Sequence, residues 1–191
     1  MVDYKIVKHE TSEEVYKFLC EATRNQPRIV ITSDLHPAYQ KPIQNLGFKH
    51  QFCEFHTKQN INKYIYDYVK EHKIDKKTHK MYKKYLEEVY KIYEAKNRFE
   101  VLSIIEKLSL KRDELPTVIN EVIDKKIRPY SSYIIQFIED SFIVRTSNWI
   151  ERIFGDLAPK HLKNNFKIVD GFSSRINLKL ARWDRRNAIF W

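Results

Sequence analysis

The first candidate for chemistry in this chain is a single aspartate at the end of a short apolar segment. Residues 28–33, Arg-Ile-Val-Ile-Thr-Ser, predict a β-strand, Asp34 follows directly, and residues 35–39 turn the chain away. Ligands and metal ions are held beyond the carboxyl ends of strands in open α/β sheets. The position of Asp34 therefore makes it a candidate site residue.

A Cys-x-x-His motif, formed by Cys53 and His56, lies at the end of the next predicted strand. Both residue types are zinc ligands, but a structural zinc site usually takes four, and no second pair lies nearby, so zinc is not expected. The pattern alone is typical of a small core residue at a strand end and of a histidine that opens the following helix.

A third candidate segment, residues 146–152, reads Thr-Ser-Asn-Trp-Ile-Glu-Arg and opens a predicted helix that ends at Leu157. At about 100° per residue, one continuous arc of this helix is apolar. The arc consists of Trp149, Ile150, Ile153, Phe154 and Leu157. Glu151 lies at the edge of the opposite, polar face beside Asn148, so by pattern alone it is an ordinary surface glutamate.

The segment before His56 alternates between strands and helices. Residues 4–7 and 48–55 predict two further strands. A helix begins at the capping box of residues 11–14, and a short helix has Pro42 in its first turn and ends at Gly47. The order strand, helix, strand, helix, strand is typical of the α/β class.

After His56 the pattern becomes helical. Residues 57–142 contain no glycine, and tyrosine and aliphatic residues recur at helical spacing among dense lysines. Breaks are expected near Pro116 and Pro129. The stripe that contains Tyr82 and Tyr85 is more typical of a packing seam between helices than of a binding surface. Residues 171–183 predict a final helix.

The charge of the chain favours a polyanionic partner. The 35 basic and 25 acidic side chains give a net charge of +10 and a pI near 9.4. Residues 160–191 supply eight basic against two acidic side chains, or +6, although a solvated helical face is an equal alternative. No membrane partner is expected, because no apolar run approaches the roughly 20 residues that span a bilayer.

The two cysteines are expected as reduced thiols. The first residues are charged throughout and lack the pattern of a secretory signal, so the expected location is cytoplasmic. Cys20 lies among apolar neighbours on the first predicted helix and is expected in the core.

As a set, these segments resemble the DDE transposases of prokaryotic insertion sequences, on the side that includes the Mutator-like elements. Residues 31–39 look like the segment with the second catalytic aspartate and its following aromatic residue, and residues 49–56 are similar to the Cys-x-x-His signature. Residues 146–154 resemble the segment with the catalytic glutamate, and residues 171–184 the closing helix.

The resemblance implies an α/β fold, namely an incomplete ribonuclease-H-like core interrupted by a mostly α-helical insertion. Residues 1–56 would form the first part of the core, residues 57–142 the insertion, and residues 143–191 the last helices with the catalytic glutamate and the basic tail. The implied activity is DNA transposition of an insertion sequence, by phosphodiester cleavage and strand transfer that depend on Mg²⁺ or Mn²⁺.

In this resemblance Asp34 and Glu151 are metal ligands rather than nucleophiles. Four residues are expected near the site: Cys53, His56, Asn148 and Trp149. His56 would contact a DNA phosphate, and Trp149 would either pack in the core or stack on a base.

One departure from the family pattern affects activity. Such a site needs three carboxylates, and the first aspartate normally lies on the first strand of the core. Only one predicted strand precedes the first helix here, and Asp3 is its sole carboxylate. We therefore expect that the first two strands and the first catalytic aspartate are missing and that this chain alone is inactive. Either it is a remnant, or an upstream polypeptide or a second copy supplies the missing part.

DNA, namely the transposon ends, is the expected partner, through phosphate contacts that are largely independent of sequence. The side chains expected to make them are Lys160, His161, Lys163, Arg182, Arg185 and Arg186. The alternative function, from a different class, is a non-catalytic basic DNA-binding or regulatory remnant.

Overall fold

The computed structural model describes residues 5–7, 9–157, 159 and 169–187, without the side chains of Trp149, Arg186 and five other residues of the last helix. The described part is mostly helical, with one two-stranded parallel sheet. This arrangement is compatible with the predicted α/β class. Within these ranges no helix combines the length and the hydropathy needed to cross a bilayer.

The sheet consists of β1 (Val30–Ser33) and β2 (Lys49–Phe52), with Val30 opposite Lys49 and Ser33 opposite Phe52. Parallel strands need a crossover connection. Here the crossover contains a 3₁₀ turn (Pro37–Tyr39) and helix α2 (Gln40–Asn45). Gly47 follows α2 with a φ of +79°, a conformation that glycine adopts without strain, and it redirects the chain into β2.

Helix α1 (Ser12–Ala22) precedes the sheet and begins where the capping box predicts. The hydroxyl of Thr11 accepts a hydrogen bond from the backbone N–H of Glu14 at 3.3 Å. Val15 and Leu19 of α1 are buried against α2 and β1. Cys20 lies on the exposed side of α1, so its expected place in the core is wrong.

The strand predicted over residues 4–7 is also wrong for residues 5–7, the part of this range that the structure describes. Lys5, Ile6 and Val7 pair with neither β1 nor β2. Ile6 instead packs beside the last two helices, and the ammonium of Lys5 lies 2.8 Å from the carboxylate of Glu14. An alternating pattern does not make a strand where the neighbouring backbone offers no partner for its hydrogen bonds.

The helical middle begins directly after β2. Its helices are α3 (Glu54–Glu71), α4 (Lys76–Tyr90), α5 (Arg98–Leu110), α6 (Thr117–Val122), α7 (Ser131–Ile134) and α8 (Gln136–Glu139). A 3₁₀ turn (Lys91–Tyr93) follows α4, and a π turn (Ile123–Ile127) and a 3₁₀ turn (Arg128–Tyr130) connect α6 to α7. The two predicted breaks occur at Pro116, the N-cap of α6, and at Pro129.

The largest hydrophobic core lies within these helices and includes one sheet residue, Phe52. Tyr82 lies in this core, as a packing seam would require, and Phe52 stacks on Tyr133 of α7 with ring centroids 5.0 Å apart. The buried amide of Gln51 accepts a hydrogen bond from the backbone N–H of Phe137 at 3.2 Å. The helical middle therefore packs on β2 and is hydrogen-bonded to it directly.

The last two helices of the described part are α9 (Asn148–Leu157) and α10 (Val169–Asn187). These helices pack on each other through a small cluster of Ile153, Leu157, Ile176 and Leu180. The buried side of α9 is narrower than the predicted apolar arc, since Ile150 and Phe154 are 51 % and 40 % exposed.

Candidate active site

A cleft of about 650 Å³ lies between α1, the carboxyl end of β1, the start of α3 and the start of α9. Its polar lining consists of Lys5, Glu10, Glu14, Thr32, Ser33, Asp34, Tyr39, His56, Ser147 and Glu151. Its apolar lining consists of Val7, Val15, Phe18, Leu19, Ile31, Ile150 and Phe154. The structure thus places Asp34, His56 and Glu151 in the wall of one cavity.

Asp34 is held at the strand end by local contacts. Its Oδ1 accepts a hydrogen bond from the backbone N–H of His36 at 3.0 Å, which fixes the turn after β1. The hydroxyl of Ser33 donates to the Asp34 carbonyl at 2.8 Å. The hydrogen bond from His36 engages one carboxylate oxygen only.

Glu151 contacts two side chains at the start of α9. The hydroxyl of Ser147 donates to Glu151 Oε1 at 3.0 Å, and Nε2 of His56 lies 3.3 Å from the same oxygen. Glu151 is in the first turn of its helix, where the helix dipole favours a negative charge. The side chains of His56 and Glu151 remain 25 % and 47 % exposed, so solvent or a ligand reaches both.

Cys53 holds the segment that leads into α9. Its buried sulfur accepts a hydrogen bond from the backbone N–H of Ser147 at 3.3 Å. The carbonyl of Arg145 accepts from the backbone N–H of Glu54 at 2.9 Å, and the hydroxyl of Thr32 donates to the carbonyl of Val144 at 2.7 Å. Of the Cys-x-x-His motif, Cys53 therefore contacts Ser147, one helical turn before Glu151, and His56 contacts Glu151 itself.

The cleft is acidic. Among the described residues, four carboxylates line it, those of Glu10, Glu14, Asp34 and Glu151, against the single ammonium of Lys5. Lys5 lowers the pKa of Glu14 below its usual value through a hydrogen bond and its charge. Glu10 accepts a hydrogen bond from the Tyr39 hydroxyl, and burial together with Glu10 raises the pKa of Tyr39, so this phenol stays protonated.

A negatively charged cavity of this kind attracts cations and repels a DNA phosphate. Carboxylate oxygens are the donors that Mg²⁺ and Mn²⁺ prefer, so the chemistry of Asp34 and Glu151 fits such an ion. Among the described residues, however, no three acidic, histidine or cysteine side chains converge closely enough to hold a metal. The donor set present is therefore suitable in kind and incomplete in number.

A second histidine, His50, contacts Ser33, the residue that precedes Asp34. His50 of β2 is 4 % exposed, and its Nε2 lies 2.8 Å from the hydroxyl of Ser33. Because that hydroxyl donates to the carbonyl of Asp34, it accepts from His50, which fixes the imidazole proton on Nε2. Burial lowers the pKa of His50 to about 4, partly offset by the charge of Asp34.

The remaining predicted residues lie elsewhere. Asn148 begins α9 and is half-buried but does not line the cleft, and the Trp149 side chain is outside the described part. Arg182 and Arg185 are exposed on α10, away from the cleft lining. Three predicted DNA contacts, Lys160, His161 and Lys163, lie outside the described residues, as does the side chain of Arg186.

Several residues of the cleft were not predicted from the sequence. Ser147 precedes Glu151 by one helical turn, a spacing that permits their hydrogen bond, and this local signal was available. The contributions of Lys5, Glu10 and Tyr39 depend on contacts between distant segments, which the sequence pattern does not reveal.

Comparison with known proteins gives one relative. No protein-family model and no solved structure matches the chain. The chain is 25 % identical, over 186 residues, to the insertion element ISM1 uncharacterized 48.3 kDa protein of Methanobrevibacter smithii. The chain is similar to an insertion-element protein. The match covers 97 % of this chain and 46 % of the relative, so the chain spans about half the length of that protein.

Proposed function

We propose that this chain is part of a transposase that moves an insertion element by metal-dependent cleavage and strand transfer of DNA phosphodiester bonds, on a ribonuclease-H-like core. The observation that carries the proposal is that Asp34 and Glu151 line one cleft, although the whole helical middle separates them in the chain. The similarity to an insertion-element protein over almost the whole chain supports it.

Asp34 and Glu151 are the proposed metal ligands. Bound to them, Mg²⁺ or Mn²⁺ would supply Lewis-acid chemistry at a scissile phosphate. Asp34 follows a strand whose backbone is fixed by pairing with β2, and Glu151 stands in the first turn of α9. Glu151 is thus carried by a helix and Asp34 by the first residue after a strand, and such regular elements hold a site more accurately than long loops do.

His56 and Ser147 are the proposed positioning residues. Both contact Glu151 Oε1 and restrict the directions in which this carboxylate points. The partial exposure of His56 also leaves its ring accessible to a phosphate of a bound DNA strand. Such fixed geometry at the reacting phosphate is what an enzyme of this type must provide.

A third carboxylate would complete the site. The described residues contain no cluster of three potential ligands, so we propose that activity depends on a carboxylate from further polypeptide, either an upstream segment or a second subunit. This requirement would explain why Asp34 and Glu151 line an acidic cleft without a third ligand close enough to them.

The test measures Mg²⁺- or Mn²⁺-dependent strand cleavage of a DNA duplex that carries the ends of the insertion element. The protein used is the full-length product that the element encodes. Asp34→Asn and Glu151→Gln are each expected to lower the cleavage rate by at least about 100-fold and to leave duplex binding within about twofold.

Asp124→Asn and Glu88→Gln are matched controls. Glu88 is exposed and Asp124 half-exposed in the helical middle, where Glu88 pairs with Lys91 and Asp124 with Arg112. Both control variants are expected to cleave at the wild-type rate. Full cleavage by either cleft variant would refute the ligand assignment.

A second candidate function is a non-catalytic DNA-binding or regulatory protein. The absence of a three-ligand cluster in the described part favours it, as does the engagement of Glu151 by Ser147 and His56. Under this alternative, the protein binds duplex DNA but cleaves none with either metal, and Asp34→Asn changes neither property.

A further inference from the structure

The first part of α4 carries a row of exposed lysines, which we name the lysine stripe: Lys76, Lys77, Lys80, Lys83 and Lys84. At about 100° per residue these five side chains fall within an arc of about 120° on the helix. The opposite side of α4 carries Tyr82, Leu86 and Val89, which are buried in the largest core. Packing of α4 therefore turns the whole stripe to solvent.

The stripe is not neutralised by the described carboxylates. None of its five lysines takes part in an ion pair, whereas Lys17, Lys91 and Lys125 each pair with a glutamate three or four residues away. Glu87 lies in the same arc one turn after Lys83 but forms no ion pair with it, so the five stripe lysines keep a net positive charge.

The stripe also opposes the stability of its own helix. Lys76 and Lys80, and Lys80 and Lys84, are one turn apart and repel each other. No acidic residue lies in the first turn of α4, and lysines near a helix N-terminus are unfavourable to the helix dipole. The N-cap Asp75 offsets only part of this, by accepting from the backbone N–H groups of Lys77 and Thr78. A bound polyanion would relieve the repulsion.

We infer that the lysine stripe binds the phosphate backbone of duplex DNA as a second contact surface, separate from the cleft. The choice of DNA rests on the proposed function, while the charge argument requires only a phosphodiester polymer. The acidic lining of the cleft repels DNA unless metal ions neutralise it, so a substrate duplex needs cationic contacts elsewhere. With a rise of about 1.5 Å per residue, the stripe is about 12 Å long, enough to contact several phosphates.

An acidic membrane surface fits the stripe less well. Helices that bind membranes lay an exposed apolar face into the lipid interface. The buried apolar residues of α4 are instead used in the core, and Met81 is its one large apolar side chain that is exposed, which is too little for an apolar face. Backbone contacts of this kind would be independent of DNA sequence and weakened by salt.

The test compares two triple variants that remove the same charge. The stripe variant combines Lys77→Gln, Lys80→Gln and Lys84→Gln, and the control variant combines Lys17→Gln, Lys91→Gln and Lys125→Gln. Binding of the full chain to a duplex of about 30 base pairs and arbitrary sequence is measured by fluorescence anisotropy over a series of salt concentrations, without divalent metal.

The stripe variant is expected to bind at least about 10-fold more weakly, with a salt slope smaller by about 2 to 3, and the control to bind within about twofold of wild type. Equal loss in both variants, or loss in neither, would overturn the inference. A different result would also overturn it: the wild type binds phosphatidylserine vesicles more tightly than DNA, and the stripe variant no longer binds the vesicles. Thermal unfolding followed by circular dichroism checks folding, and the stripe variant should be at least as stable as wild type because repulsion is removed.

This outcome is separable from that of the proposed function. Asp34→Asn and Glu151→Gln retain the stripe and should bind the duplex normally. If both triple variants bind as wild type does while the cleft variants lose cleavage, the inference about the stripe fails and the proposed function stands.

Discussion

His56 Nε2 lies 3.3 Å from Oε1 of Glu151, so the first turn of α3 and the first turn of α9 meet at one polar contact. Between these two residues in the chain lie all the helices from α4 to α8. The packing of those helices on β2, through Phe52 and Gln51, therefore decides whether the contact forms.

Replacing His56 should loosen the start of α9. His56→Ala removes one of the two side chains at Glu151 Oε1, so we expect faster amide hydrogen exchange in α9 and cleavage slowed by about 10- to 100-fold. DNA binding should change by less than about threefold. His72→Ala is the control, because this exposed histidine stacks on Tyr68 far from the cleft lining. Unchanged exchange in α9 would show that His56 does not position Glu151.

Cys53 should stabilise the fold through its sulfur. Cys53→Ala leaves the backbone N–H of Ser147 without its acceptor, and we expect the free energy of unfolding in urea to fall by about 1–3 kcal/mol. Cys53→Ser restores an acceptor and should recover part of this loss. The exposed Cys20 provides the control, since Cys20→Ala should change stability by less than about 0.5 kcal/mol. A thiol reagent should modify Cys20 rapidly and Cys53 only on unfolding; fast modification of both would contradict the structure.

Acid should destabilise the protein through His50. Its pKa is about 4 in the folded state against the usual 6.5, so below pH 6.5 the unfolded chain binds a proton that the folded chain does not. The resulting loss of stability grows as pH falls from 6.5 to about 4 and reaches about 3 kcal/mol. His50→Phe, which keeps an aromatic ring beside Phe52 and Tyr133, should remove this part of the pH dependence of urea unfolding. An unchanged slope would contradict the assignment, and His72→Phe should leave the slope unaltered.

Even a conservative replacement of Arg145 should destabilise the protein. Its guanidinium contacts Glu54 Oε2 through Nε at 2.8 Å and Nη2 at 2.7 Å, and Nη2 also donates to the carbonyl of Tyr93 at 2.8 Å. Lysine has no planar fork to make these contacts together, so Arg145→Lys should lower the free energy of unfolding by about 1–2 kcal/mol. Arg24→Lys, at an exposed position without an ion pair among the described residues, is the control. In a double-mutant cycle, Arg145→Lys and Glu54→Gln should be non-additive, and strict additivity would rule out the pairing.

Local chemistry alone was enough to predict many elements of this protein. The cap at Thr11, the helical spacing of the middle segment and the turn at Gly47 each depend on neighbouring residues and appear where the sequence predicts them. The strand before Asp34 and the strand before Cys53 are also present, although each is shorter than predicted at one or both ends. Helical period and capping are properties of a few consecutive residues, so the sequence carries them directly.

Tertiary structure alone decided which distant groups meet. The sequence marked Asp34, Cys53, His56 and Glu151 as candidates, but only packing put Asp34, His56 and Glu151 around one cleft and Cys53 under Ser147. Packing also left Lys5–Val7 without a strand partner, exposed Cys20 and turned the lysine stripe outward. These outcomes depend on contacts between segments far apart in the chain, because burial and pairing are settled by what else occupies the same space.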